Sequence, residues 1–163
     1  KKTGKLTGWI GYTLSKTEKQ IDGINNNQWY NARQDKTHDI SVVGMYDLSK
    51  KWTLSATWVY NTGFAVTFPS GKYMMNNEVK FYYTERNGYR MPAYHRLDIG
   101  ATYTMKKSAT RESSLNFSLY NAYGRENAYS ITFSESETDP TKTDAVQTSL
   151  FRYVPSITWN FKY

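Results

Sequence analysis

The stretch Ser156-Ile157-Thr158-Trp159-Asn160-Phe161-Lys162-Tyr163 alternates without a fault. Ile157, Trp159, Phe161 and Tyr163 share one side, and Ser156, Thr158, Asn160 and Lys162 the other, because successive side chains of a strand point to opposite faces. The chain stops on an aromatic residue, with no polar tail. Two structures accommodate such an end. An edge strand on a soluble core hides the Trp-Phe-Tyr side against other apolar groups. A strand of a transmembrane barrel turns that side to lipid, with aromatic rings at the interfaces.

The remaining sequence repeats the pattern. The final strand reaches back to about Gln147 and contains Pro155, where a lost ladder donor predicts a bulge or a change of slope. A fifth strand begins at Ser113, with Leu115, Phe117 and Leu119 on one side. It is interrupted at Gly124-Arg125-Glu126-Asn127 by a bulge or bend, and a strand-like run follows at Ala128–Phe133. The fourth strand is Tyr94–Met105, with Leu97, Ile99, Ala101, Tyr103 and Met105 in phase. The third is Trp52–Asn61, the second Thr37–Leu48 and the first Leu6–Ser15. The short polar turn Ser49-Lys50-Lys51 joins the second and third into a hairpin. Six strands result, each near the roughly 9–11 residues that cross a bilayer at a tilt. Ile10, Val42, Leu54, Ile99, Phe117 and Ile157 are the expected lipid-facing positions.

Connections alternate in length. Lys16–Asp35, Thr62–Ala93 and Glu135–Asp144 read as long loops without a sustained period, whereas residues 49–51 and the turn from Lys106 to Glu112 are short. Short turns at one end and long loops at the other are the habit of outer-membrane barrels. Lys50, Lys51, Lys106, Lys107 and Arg111 lie in the short turns. Lys1, Lys2, Lys5 and Lys162 fall at the same predicted end.

Composition agrees with this reading. The 163 residues suffice for one domain, read as a single segment over 1–163. There is no cysteine, which excludes disulfides and thiolate metal sites. No apolar run is long enough for a membrane helix. The mean hydropathy of −0.73 does not argue against a barrel, because only alternate residues meet lipid. Aromatic residues make up 17%, with 15 Tyr, and the net charge of +7 suits an anionic surface. Lys1 opens the chain without methionine and no apolar leader follows, so a mature product or a piece of a longer protein is expected.

Four segments, in order, carry a family resemblance. They are Trp52-Thr-Leu-Ser-Ala-Thr-Trp58 with Asn61-Thr-Gly63, Arg90-Met-Pro-Ala-Tyr-His-Arg-Leu-Asp98, Leu119-Tyr-Asn-Ala-Tyr-Gly-Arg-Glu-Asn-Ala-Tyr129, and Phe151 to Tyr163. Together they resemble the C-terminal part of a TonB-dependent outer-membrane transporter of the Bacteroidetes type, with Ala128 where that family often has proline. The resemblance implies an all-β, antiparallel transmembrane barrel of about 22 strands with a plugged lumen, of which this chain is about the last six. It implies a Gram-negative outer-membrane location and import of a ligand. It also implies coupling to the TonB complex through N-terminal parts absent here, and contact with the barrel-assembly machinery and with a surface lipoprotein. By the same resemblance Trp159, Phe161 and Tyr163 form the assembly signal.

Catalytic chemistry finds no foothold. No nucleophile elbow, phosphate loop or spaced carboxylate pair occurs, so no enzyme activity and no cofactor are expected. His38 and His95 stand near strand ends; a shared metal would require adjacent strands, and solvated histidines are the expectation. Asp39, Asp47 and Asp98 fall on the polar side of their strands, where hydration or a plug contact would satisfy them. The ligand candidates are the loop aromatics and their basic neighbour: Trp29, Tyr30, Arg33, Tyr73, Phe81, Tyr82, Tyr83 and Tyr89, which offer stacking faces and hydrogen bonds, or simply pack loop on loop. Aromatics among basic residues also suit single-stranded nucleic acid, but that reading leaves the apolar side of every strand unexplained, so no nucleic acid is expected. A passive porin or an anchoring barrel is a second membrane reading. A soluble glycan- or nucleic-acid-binding β module is the reading from another class.

Overall fold

The long alternating runs become one antiparallel sheet in the computed structural model, which describes residues 2–108, 111–139 and 142–162. Its strands are β1 (Leu6–Leu14), β2 (His38–Asp47), β3 (Trp52–Asn61), β4 (Tyr94–Lys107), β5 (Glu112–Tyr120) and β6 (Val154–Lys162). They follow one another in chain order across the sheet, each antiparallel to the next, and Lys2–Thr3 folds back on Leu6 and Thr7 outside β1. The chain is all-β, with 59% of residues in strands. Among the described residues there is no α-helix, only a 3-10 turn at Asn25–Asn27. The sheet is open there: β6 forms one edge and Lys2–Thr3 the other.

Register shows why the alternation matters. Residues directly opposite in an antiparallel pair share a face. Leu6, Tyr46, Leu54, Ala101, Phe117 and Ile157 form one continuous row through all six strands. A second row is Gly8, Gly44, Ala56, Ile99, Leu119 and Pro155; a third, over four strands, is Ile10, Val42, Trp58 and Leu97. None of these rows contains Asp, Glu, Lys or Arg. The opposite face carries Thr13, Ser41, Thr57, Thr102, Asn116 and Thr158, with Asp39 and Asp98 near one end.

Among the described residues nothing covers either face. Ile10 is 75% exposed and Ile157 71%, while the buried apolar residues, Tyr30, Ala32, Ala65 and Met91, all lie beyond the strand ends. A contiguous apolar surface of this extent marks an interaction face rather than ordinary solvent-facing surface.

Both short turns use a serine. The Ser49 hydroxyl accepts the N–H groups of Lys51 (3.2 Å) and Trp52 (3.1 Å), and the Ser108 hydroxyl accepts that of Arg111 (3.1 Å), each replacing backbone partners lost in the turn. Lys5, the residue 48–51 turn, Ser108 and Arg111 all lie at one end of the sheet. The Asp47 N–H donates to the Lys5 carbonyl, the Thr104 N–H to that of Lys51, and Lys162 stands opposite Glu112. The three long connections, residues 15–37, 62–93 and the described residues of 121–153, lie at the other end.

Four details depart from the sequence expectation. β4 bulges between Thr104 and Lys106, so Met105 leaves the apolar phase and Lys106 enters it, opposite Ser113. The expected long final strand is two strands. Thr143–Thr148 belongs to a separate hairpin with Ser130–Glu135, and residues 149–153 break the chain before Pro155 rather than at it. Pro155 is the second residue of an edge strand, a position that tolerates its missing N–H. The run Ala128–Phe133 therefore does not continue the fifth strand but enters that hairpin, and the third long connection is longer than Glu135–Asp144. Finally, Thr62–Ala93 is not structureless. It holds the hairpin Gly71–Met75 with Glu78–Tyr82 and the short ladder Ala65–Val66 with Tyr89–Arg90.

Candidate functional site at the long-loop end

The three long connections join into one layer, built from side chain to backbone contacts over large sequence separations. Asp35, fully buried, is its centre. Its Oδ1 accepts the Thr17 N–H at 2.5 Å and its Oδ2 pairs with Arg90 Nη2. Arg90 Nη1 also donates to the carbonyls of Asp35 (3.1 Å) and Gly63 (3.2 Å), so one guanidinium ties the first connection to the second. Gly63 is required there: a Cβ would lie 1.7 Å from the Met91 carbonyl oxygen. Burial by itself raises the Asp35 carboxyl. The Arg90 hydrogen bond, the Thr17 N–H and the charges of Arg90 and Lys16 outweigh it and hold the group below its ordinary value.

Asparagines complete the joints. Asn25 donates to the Arg86 carbonyl (3.1 Å) and accepts the Arg86 N–H (2.8 Å), a two-point clasp between the first and second connections. Asn127 does the same for β4, accepting the His95 N–H (3.1 Å) and donating to the His95 carbonyl (3.0 Å). Arg125 donates to the Ala93 carbonyl at 3.1 Å. Asn121 is almost fully buried at φ 55°, a left-handed conformation that asparagine tolerates. It donates to the Arg125 and Phe151 carbonyls. The segment Leu119–Tyr129 is thus a clip that fixes the start of β4 and the approach to β6.

On the polar face, Tyr94, Arg96, Asp98 and Tyr120 form a cluster. Arg96 Nη2 lies 2.9 Å from Asp98 Oδ2, its Nη1 donates to the hydroxyls of Tyr94 (2.8 Å) and Tyr120 (2.9 Å), and it stacks 4.1 Å from the Tyr120 ring. Asp98 Oδ1 accepts the Asn121 N–H (2.9 Å). Besides the hydration or plug contact expected from the sequence, Asp98 has partners within the chain. Asp47 accepts a hydrogen bond from the Thr53 hydroxyl. The alternation Tyr94-x-Arg96-x-Asp98 was the available signal, since it places all three on one side.

A cleft of about 780 Å³ opens between the three connections. Four of the eight ligand candidates line it: Tyr30, Arg33, Phe81 and Tyr83. Phe64, Phe68, Lys19, Arg86 and residues 129–133 complete much of the wall. Arg33 lies 5.9 Å from the Phe64 ring, and Phe68 contacts Phe133 edge-on at 4.9 Å. Trp29 lines a neighbouring, smaller depression with Asn25, Asn26 and residues 84–88. Tyr73 and Tyr82 pack against each other across the hairpin at 6.5 Å, and Tyr89 stacks on Phe68 at 5.6 Å. The eight candidates thus divide between the cleft wall, the smaller depression and ring-on-ring packing.

The histidines do not meet. His38 is on β2 and His95 on β4, with β3 between them, and each bonds a tyrosine hydroxyl: His38 Nδ1 that of Tyr12 (2.9 Å), His95 Nδ1 that of Tyr123 (2.7 Å). Among the described residues no group of three metal-ligating side chains gathers. At the far end of the chain, the Trp159 indole N–H donates to the Ser113 hydroxyl (2.9 Å) and its ring lies 5.3 Å from that of Phe161; Tyr163 is outside the described residues. No family model, no curated protein and no solved structure matches the chain.

Proposed function

We propose that this chain is the C-terminal part of an outer-membrane β-barrel, about six of some 22 strands, belonging to a TonB-dependent transporter that imports a ligand. One observation carries the reading: the charge-free rows that run in register through the sheet, uncovered by any of the described residues. Lipid is the partner that such a face accepts without further burial. Strand lengths of 9, 10, 10, 14, 9 and 9 residues suit a bilayer. The segregation of short basic turns from long folded loops supports the same orientation, turns inward and loops outward.

In this reading the two sheet edges join strands outside this chain, because an open edge in lipid leaves backbone groups unsatisfied. The Arg96 cluster faces the lumen, and the aromatic cleft sits at the outer mouth as the first contact for ligand. TonB coupling and a plug reside in upstream parts, a surface lipoprotein sits over the mouth, and Trp159, Phe161 and Tyr163 address the assembly machinery.

The test uses the full-length protein in cells. Peptide tags inserted at Asn26 and at Gly71 are expected to be labelled on intact cells, and a tag at Lys50 only after the outer membrane is breached. The protein is expected to leave membranes with detergent and not with high salt. Release by salt alone would instead favour the soluble β module. Uptake that persists when the TonB complex is inactivated would favour the passive porin.

A further inference from the structure

The charge-free face is not flat. Next to the basic end it has a groove of about 660 Å³. It is lined by the small residues Gly44, Ala56 and Ala101 and by the larger Tyr46, Leu54 and Phe117. Between the groove and the turn that carries Lys50 and Lys51 lies one row of rings, Trp52 and Tyr103, 4.9 Å apart. Lys51 Nζ lies 6.0 Å from the Tyr103 ring.

The bulge in β4 adds a third cation. Strict alternation would put Lys106 with Thr102 and Thr104 on the polar face. The register shift instead sets it opposite Ser113, in the same row as Phe161, on the face that carries the charge-free rows but beyond them. Carboxylates at this end lie on the other face. Asp47 bonds Thr53 there, and Glu112 stands opposite Lys107 and Lys162. Among the described residues Lys50, Lys51 and Lys106 take part in no ion pair.

We propose that this groove and its lysine rim form a binding site for an anionic phospholipid of the inner leaflet, with an acyl chain along Gly44, Ala56 and Ala101 and the phosphate among Lys50, Lys51 and Lys106. The inference rests on the membrane reading. Charge complementarity selects the occupant: an apolar slot followed along the strands, past the Trp52 and Tyr103 rings, by lysines that take part in no ion pair among the described residues matches a diacyl anion, and a zwitterionic lipid gains less from the same lysines. Long lysine stems reach the interface while their charge stays hydrated.

The full-length protein, purified in mild detergent, is titrated with phosphatidylglycerol and with phosphatidylethanolamine, and bound lipids are counted by native mass spectrometry. Phosphatidylglycerol is expected to bind at least about tenfold more tightly, and to weaken about fivefold for each lysine changed in a Lys50→Gln, Lys51→Gln, Lys106→Gln series. Gly44→Leu tests the groove separately. A Cβ at position 44 meets no atom within 4 Å, so the variant folds while its side chain fills the slot, and binding of both lipids is expected to fall. Protein that leaves membranes in high salt overturns the membrane reading and this inference together. A detergent-requiring, heat-modifiable barrel that binds the two lipids equally, or whose lysine and Gly44 variants bind as the parent does, overturns the inference alone.

Discussion

On the proposed membrane reading, Ala56→Arg is expected to destabilise the folded protein by about 2–4 kcal/mol, the cost of a basic side chain at mid-depth on a lipid face. Ala56 stands between Gly44 and Ile99 in a row without charge, near the middle of β3. An arginine there has no carboxylate in its row and too far to reach to either interface. The matched control is Thr57→Arg, one residue along, which points to the polar face opposite Asp98. Its expected cost is about 0.5 kcal/mol or less. The measurement is the urea dependence of heat-modifiable, folded full-length protein in vesicles. Equal effects at the two positions would mean that the two faces meet the same medium.

Asp35→Ala is expected to loosen the long-loop layer without dissolving the sheet. Removing one partner of a buried pair costs about 3–5 kcal/mol, and the lower end applies because the Arg90 side chain retains 31% exposure. A loss of about 3 kcal/mol is more than a hundredfold in the local opening equilibrium. Hydrogen exchange reads it at the amides of Ala32 and Met91, which bond the Thr17 and Phe64 carbonyls across this layer. The pH dependence has a definite sign. The folded-state value of Asp35 is lowered, so its contribution is present above the unfolded value of about 3.9 and is lost as pH falls through the folded value below that. Exchange at these amides is therefore expected to show no opening contribution from Asp35 between neutral pH and about pH 4, and to rise below it. Amides in the middle of β3 serve as the reference and are expected to be unaffected.

The strands were legible because period two is a local signal. Trp52–Asn61 is found at the boundaries its alternation predicts, and β1 and β2 differ from expectation by a residue at their ends. The phase was legible too, since each strand's apolar side joins its neighbours in register. The loop layer was not legible. Its ladders at residues 18–31 and 65–90 are two residues long, too short for a period to show. Its joints pair residues such as Asp35 and Arg90 across 55 positions. One signal there was readable: Asn76 and Asn77, both at positive φ, form the two-residue turn of a hairpin between alternating runs. The Met105 bulge left no mark in the alternation, because lysine follows methionine at the strand end, where either face is tolerated.

The central claim is that the charge-free rows face lipid. Spin labels at Ile10, Val42, Leu54, Ile99, Phe117 and Ile157, with Ser41 and Thr158 as opposite-face references, measure it in the full-length protein in native membranes. The account predicts that molecular oxygen, which partitions into lipid, relaxes the first six more strongly than a water-soluble nickel chelate does, with the order reversed at the two references. Preferential relaxation of the six by the nickel chelate would contradict it.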